Sequence, residues 1–160
     1  MTGTGLRVRC SMVAVVVLRG VGDATQMLLA RRAGKYLNGI WSYIAGHVET
    51  GEAGWQTALR ELHEETGLVP DSLWATSFCE RFYALPSDSV ELVPAFVARV
   101  TSTAEVHLNG EHSAFAWLSL EEAAERVPFG SQRELIAYVR GEFVQRDPPH
   151  CLRIPGGCVR

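Results

Sequence analysis

The run MVAVVVL at residues 12–18 constrains this chain most: seven apolar residues in a row, four of them valine, closed by Arg19. A short β-branched run of this kind reads as a buried strand. It falls well short of the roughly eighteen apolar residues that suggest a membrane span. Arg7 and Arg9 ahead of it faintly mimic the charged start of a secretory signal, but no small-residue cleavage site follows. The strand reaches back to Val8, and residues 1–5, small and polar, make a frayed tail.

Residues 26–31 (QMLLAR) read as a second strand, antiparallel to the first if residues 20–24 form a hairpin loop, and residues 41–46 as a short third. Residues 53–66 are the clearest helix. Trp55, Ala58, Leu59 and Leu62 recur at i, i+3, i+4 and i+7, giving one apolar face. Gly67 supplies the stop and Pro70 prevents resumption. Two further strands span residues 73–85 and 90–100 around the turn Pro86-Ser87-Asp88-Ser89. Asn109-Gly110 marks another turn, and residues 114–118 a short strand. Ser119 with Glu122, and Ser131 with Glu134, have capping-box spacing for helices to about Arg126 and about Phe143. The chain from Arg146 onward reads as an irregular tail.

Strands on either side of a helix, with helices again at the end, predict an α/β fold: a mixed sheet with helices on both faces. With no linker or internal repeat, the 160 residues read as one domain over 1–160, its core about 8–143 and its tail 146–160. Hydrophobic and charged shares of 47% and 21% are ordinary for a globular protein. A formal net charge of -3 excludes a broadly basic nucleic-acid coat. Cys10, Cys79, Cys151 and Cys158 show no CxxC spacing and read as reduced thiols of a cytoplasmic protein. Cys151 and Cys158 sit in a Pro/Gly-rich stretch that is either a plain tail or a place for a disulfide or a metal.

The helix at 53–66 carries the chemistry. At about 100° per residue, Glu61, Glu64 and Glu65 occupy an arc of roughly 100° beside the apolar face. Like charges at these spacings repel and weaken a helix by a few tenths of a kcal/mol per pair. The cluster alone is commonly just a solvated acidic face. Its sharper reading is a site for a hard cation, because magnesium takes oxygen ligands and bridges carboxylates to substrate phosphates.

From Gly46 the chain runs GHVETGEAGWQTALRELHEETGL. It resembles the Nudix box, G-x5-E-x7-R-E-U-x-E-E-x-G-U with U aliphatic, and Gly46, Glu52, Arg60, Glu61, Leu62, Glu64, Glu65, Gly67 and Leu68 fill every specified position. MLLARR before the box, and Glu111, Trp117 and Glu121-Glu122 after it, extend the resemblance over about residues 8–143.

The resemblance implies an α/β/α sandwich and magnesium-dependent hydrolysis of a nucleoside diphosphate linked to another group, with manganese as the alternative ion. Carried over, Glu61, Glu64 and Glu65 are metal ligands. Glu52 and Arg60 brace the loop against the helix, and Glu52 can reach the metal through water. The main-chain carbonyl before the box, here Ala45, is a further ligand. The family often has Pro-Gly-Gly there, where this chain has Ile44-Ala45-Gly46. Glu111 is a candidate loop carboxylate, acting as ligand or as base.

Residues outside the box carry weaker expectations. Arg31, Arg32 and Lys35 can hold phosphates or simply end a strand in solvent. Ser131, opening the last helix, can offer backbone N–H groups to an anion. His47, His63 and His112 lie near the acidic cluster in sequence and read as surface residues rather than ligands. Trp41, Trp55, Trp74 and Trp117 read as core.

The stretches WSYIAGHVETGE, EHSAFAWLSLEEA and SQRELIAYV are similar to the branch releasing pyrophosphate from nucleoside or pterin triphosphates. The alternatives are hydrolysis of ADP-ribose-like dinucleotide diphosphates, a non-catalytic nucleotide-sensing module, and a prenyl-diphosphate isomerase; the intact box argues against the last two. The expected partner is a small nucleotide-type substrate, with no nucleic acid and no membrane, and a homodimer is left open.

Overall fold

The computed structural model describes residues 5–156. The strands are β1 (Arg7–Arg9), β2 (Met12–Arg19), β3 (Gln26–Arg32), β4 (Trp41–Ser42), β5 (Ile44–His47), β6 (Ser72–Ala84), β7 (Ser89–Arg99) and β8 (His112–Leu118). The helices are α1 (Gly54–Thr66), α2 (Leu120–Arg126) and α3 (Gly130–Val139).

β2 is central. It runs parallel to β7 on one side and antiparallel to β3 and β5 on the other, while β6 extends the sheet from β7 and β8 from β3. The sheet is therefore mixed, as expected. The expected strand over 8–18 is two strands. Arg9 pairs with Glu91 and Ala14 with Ala95, five steps against four, so one extra residue at Cys10-Ser11 breaks the ladder as a bulge does. The expected strand over 41–46 is also split, because Trp41–Ser42 pairs with β3 and Ile44–His47 with β2.

Val13 to Leu18 are all at most 2% exposed, which is why this stretch tolerates no polar residue. Val13, Val15 and Val17 face α1 through Ala58 and Leu62. Ala14, Val16 and Leu18 face α2 and α3 through Leu120, Ala123, Leu135, Ile136 and Val139. Helices thus cover both faces, and a strand buried on both reads as a continuous apolar run.

The helix ends follow local chemistry. The Gly67 N–H closes α1 on His63 O at 2.8 Å, with Gly67 in the left-handed region at φ 70°. The Ser119–Glu122 capping box opens α2 as expected, through bonds of 2.9 and 3.2 Å. The expected Ser131–Glu134 box does not form. α3 starts two residues earlier, with Phe129 at its N-cap; the Phe129 N–H donates to Gln132 Oε1, and the Ser131 hydroxyl donates to Glu80 on β6 at 2.7 Å. The α-helix stops at Val139 and widens into a π-type turn, Arg140–Val144, that buries Phe143.

The tail is not irregular throughout. The Ile154 N–H donates to Leu73 O at 2.9 Å, and Arg153 bridges Trp74 on β6. Cys151 is exposed, while Cys158, its candidate partner, lies outside the described residues. No helix among the described residues is long and apolar enough to cross a membrane.

Candidate active site

The loop from His47 to Ala53 returns the chain from β5 to α1, and one guanidinium ties the two together. Arg60 forks onto Glu52, with Nε donating to Oε1 at 2.9 Å and Nη2 to Oε2 at 3.0 Å. Nη2 also donates to His47 O at 2.9 Å, at the end of β5. Nη1 reaches Glu61 at 2.8 Å and Glu64 at 3.2 Å. Glu52 further accepts from the Thr57 hydroxyl at 2.7 Å and the Glu49 N–H at 3.2 Å. These donors, Arg60 first, hold the Glu52 carboxyl down at about 2, and the same bonds push the Arg60 guanidinium up. Both Glu52 oxygens are engaged, so the geometry is that of a brace.

α1 packs its acidic side against β5. A Cβ built on Gly46 would lie 2.0 Å from the Glu61 carboxyl carbon, so only glycine lets the helix come this close. Ala45, opposite Ala14 in the ladder, immediately precedes that glycine on β5. Burial raises the Glu61 carboxyl, partly offset by Arg60, while Glu64 is the outermost of the three, its side chain 55% exposed.

Glu65 is different in kind. It is 3% exposed, and its Oε2 is buried with no hydrogen-bond partner. Burial first, then the charges of Glu61 and Glu111, push its carboxyl up to about 8. Glu111, exposed in the turn before β8, is thus close enough to act on both Glu61 and Glu65. Its side chain is tethered by Asn109 Nδ2 at 3.5 Å, and Asn109 Oδ1 caps the Glu111 N–H at 3.0 Å.

Arg32 lies on the same side. Its charge lowers Glu65 and His112, and its buried Nε has no hydrogen-bond partner. Arg31 points elsewhere, its guanidinium 3.6 Å from where a Gly39 Cβ would stand. Ser131 belongs to the opposite face. There Glu80, 6% exposed, accepts from both the Ser131 and Tyr43 hydroxyls, and Gln132 Nε2 donates to Ser42 Oγ at 2.9 Å. The structure therefore sets Glu52, Arg60, Glu61, Glu64, Glu65, Glu111 and Arg32 along one side of α1, with Ala45 next to Gly46, and leaves Arg31 and Ser131 outside.

His112 was expected at the surface and is not there. It is 8% exposed, with Nε2 3.7 Å from Glu65 Oε2. Ordinary alternation from Ala114 and Ala116 would turn it toward α2 and α3; the register shift opposite Arg31/Arg32 aligns it with Arg32 instead. No signal in the sequence marks that shift.

The donor set suits a hard divalent cation, because it consists of carboxylate oxygens and includes a buried, orphaned Oε2 whose ionisation is opposed by like charges. Among the described residues no three ligating side chains are already drawn together for an ion. Arg60 engages one carboxylate oxygen of Glu61 and one of Glu64.

Fold and site together define an α/β/α sandwich whose acidic helix meets the end of a sheet strand. The NUDIX domain family model matches residues 9–157, and the chain belongs to the Nudix family. An octanoyltransferase of Myxococcus xanthus is 40% identical over 129 residues, which cover 78% of this chain and 35% of that protein. The chain thus spans about a third of that relative's length. A bis(5′-nucleosyl)-tetraphosphatase of Sus scrofa is 35% identical over 103 residues, 62% of this chain and 70% of that protein. In fold, the chain is similar to a C. elegans Ap4A hydrolase in a binary complex, with TM-score 0.69 and 23% identity, covering 81% of this chain and 97% of that one.

Proposed function

We propose that this protein is a hydrolase dependent on magnesium or manganese, cleaving a phosphoanhydride bond in a nucleoside diphosphate linked to another group. The observation that carries this reading is Glu65. A buried carboxylate with an orphaned oxygen, pressed by two further glutamates, calls for a cation rather than for solvent.

Glu61, Glu64 and Glu65 would hold the ion, with the Ala45 carbonyl beside them. Bound there, a divalent cation neutralises phosphate charge and lowers the pKa of a water. The chain supplies the rest. Arg60 and Glu52 fix the loop against α1, so the carboxylates and the β5 main chain keep their spacing. Arg32 offers a cation to the substrate's phosphates from the same side. Glu111, on a separate loop, can accept the attacking water's proton while the helix carboxylates stay committed to the ion. Phosphoryl transfer needs little more than such positioning and charge compensation.

Within this class, a nucleoside or pterin triphosphate yielding monophosphate and pyrophosphate is the substrate that the segments flanking the box favour. A dinucleoside tetraphosphate is the second reading, favoured by the Sus scrofa relative. A panel of nucleoside and pterin triphosphates, dinucleoside tetraphosphates and ADP-ribose, incubated with magnesium and resolved by chromatography, tests both. Monophosphate plus pyrophosphate supports the first reading, and mononucleotide products from the tetraphosphate the second. No turnover of any phosphoanhydride would overturn the proposal.

A further inference from the structure

The β3–β8 ladder carries one irregularity, and it lies at the site. Arg31 pairs with Ala114 and Arg32 with His112, one step on β3 against two on β8. The extra residue is Ser113. A bulge of this kind turns the following side chain to the other face of the sheet. Here it turns His112 onto the α1 face, beside Arg32 and against Glu65.

Three buried side-chain atoms are left without hydrogen-bond partners on that spot: Glu65 Oε2, His112 Nδ1 and Arg32 Nε. Buried polar groups are rarely orphaned, and such a cluster marks an arrangement set for something other than stability. The gap between His112 Nε2 and Glu65 Oε2, 3.7 Å, is a few tenths of an ångström beyond hydrogen-bond length. Arg32 is the residue opposite His112 in the ladder. An imidazole N–H facing Glu65 can hold that carboxylate in place.

We propose that His112 is a positioning residue for Glu65, aimed by the Ser113 bulge, whose ring N–H fixes Oε2 and so orients the carboxylate toward the cation. This rests on the divalent-cation reading given above. It assigns no proton-transfer step to His112. Side chains that hold a metal ligand in place commonly change metal affinity or activity by about 10- to 100-fold when lost.

The test compares His112→Phe, His112→Gln and His112→Asn. Phenylalanine keeps a ring but no donor. Glutamine sets an amide nitrogen near the Nε2 position, and asparagine sets one near Nδ1. Mn²⁺ affinity is read from the free-ion electron paramagnetic resonance signal, with kcat, KM and melting temperature alongside. The expected result is a loss of about 10-fold or more in Mn²⁺ affinity and kcat for the phenylalanine variant, with KM within about twofold. Glutamine should recover most of both, and asparagine should not.

Wild-type Mn²⁺ affinity and kcat in the phenylalanine variant would overturn the proposal. So would glutamine and asparagine variants that behave alike and lose function only in step with melting temperature. If the phenylalanine variant does not fold, the glutamine–asparagine contrast decides. A wild-type protein that binds Mn²⁺ but hydrolyses nothing overturns the hydrolase reading while the affinity comparison still decides on His112. A wild-type protein that binds no Mn²⁺ overturns both.

Discussion

Gly46 and Glu61 touch so closely that no side chain fits between them: a Cβ on Gly46 would stand 2.0 Å from the Glu61 carboxyl carbon. Gly46→Ala should therefore displace Glu61 rather than unfold the sheet, because the atoms in the way end a side chain that can swing. Crowding of this kind costs about 1–3 kcal/mol. The expected outcome is a melting temperature lower by a few degrees and turnover lower by about 10-fold or more, as when a charge-stabilising group is misplaced. Full turnover in the alanine variant would show that the spacing between β5 and α1 is not used.

Arg60→Lys keeps a charge and loses the planar fork that grips Glu52 while reaching His47 O, Glu61 and Glu64. Turnover should fall, while Mn²⁺ affinity weakens only modestly, because the ligands themselves remain. Steady-state kinetics and a cation titration on the same preparation check this. Unchanged kinetics would reduce Arg60 to an ordinary helix residue.

Burial sets a pH dependence on the cation-free protein. The Glu65 carboxyl is raised from 4.5 to about 8, so between those values the folded state holds more protons than the unfolded one. Stability then falls as pH rises through that window. His112 is shifted the opposite way, below 6.5, and bears on stability only at lower pH. The Glu65 effect is therefore cleanest between about pH 7 and pH 8. In chelator, melting temperature should drop across that interval by several degrees; Glu65→Gln should flatten the drop, and added divalent cation should offset it in the wild type. A wild-type curve flat over the interval would contradict a buried, protonated Glu65.

Glu111→Gln separates base from ligand. If Glu111 accepts the water's proton, turnover should fall by about two to four orders of magnitude with KM nearly unchanged. If it ligates, Mn²⁺ affinity falls as well. Wild-type turnover together with wild-type cation dependence would remove it from the site.

Much of this was legible because the informative residues lie close in sequence. The apolar run at 12–18, the α1 periodicity and the box from Gly46 to Leu68 each depend on local spacing, and the sandwich agrees with the reading they support. What was not legible depends on register between distant strands. Splitting residues 8–18 takes one extra residue against β7, and turning His112 inward takes one extra residue against β3. Neither leaves a local mark, since Cys10-Ser11 and Ser113 are unremarkable in composition. Ser131 misled for a related reason. Its spacing to Glu134 suits a cap, but a buried carboxylate from β6, far away in sequence, takes its hydroxyl instead.

If the α1 carboxylates hold a divalent cation for phosphoanhydride hydrolysis, turnover depends on Glu65 and on the ion together. Turnover of whichever substrate the panel identifies should be measured for wild type and Glu65→Gln across a magnesium titration, with chelator as the zero point. The expected outcome is no wild-type turnover in chelator, saturable recovery with magnesium, and a loss of at least about 100-fold in a folded Glu65→Gln protein at saturating magnesium. Full wild-type turnover in excess chelator, or a Glu65→Gln enzyme that loses activity only in proportion to its unfolded fraction, would contradict it.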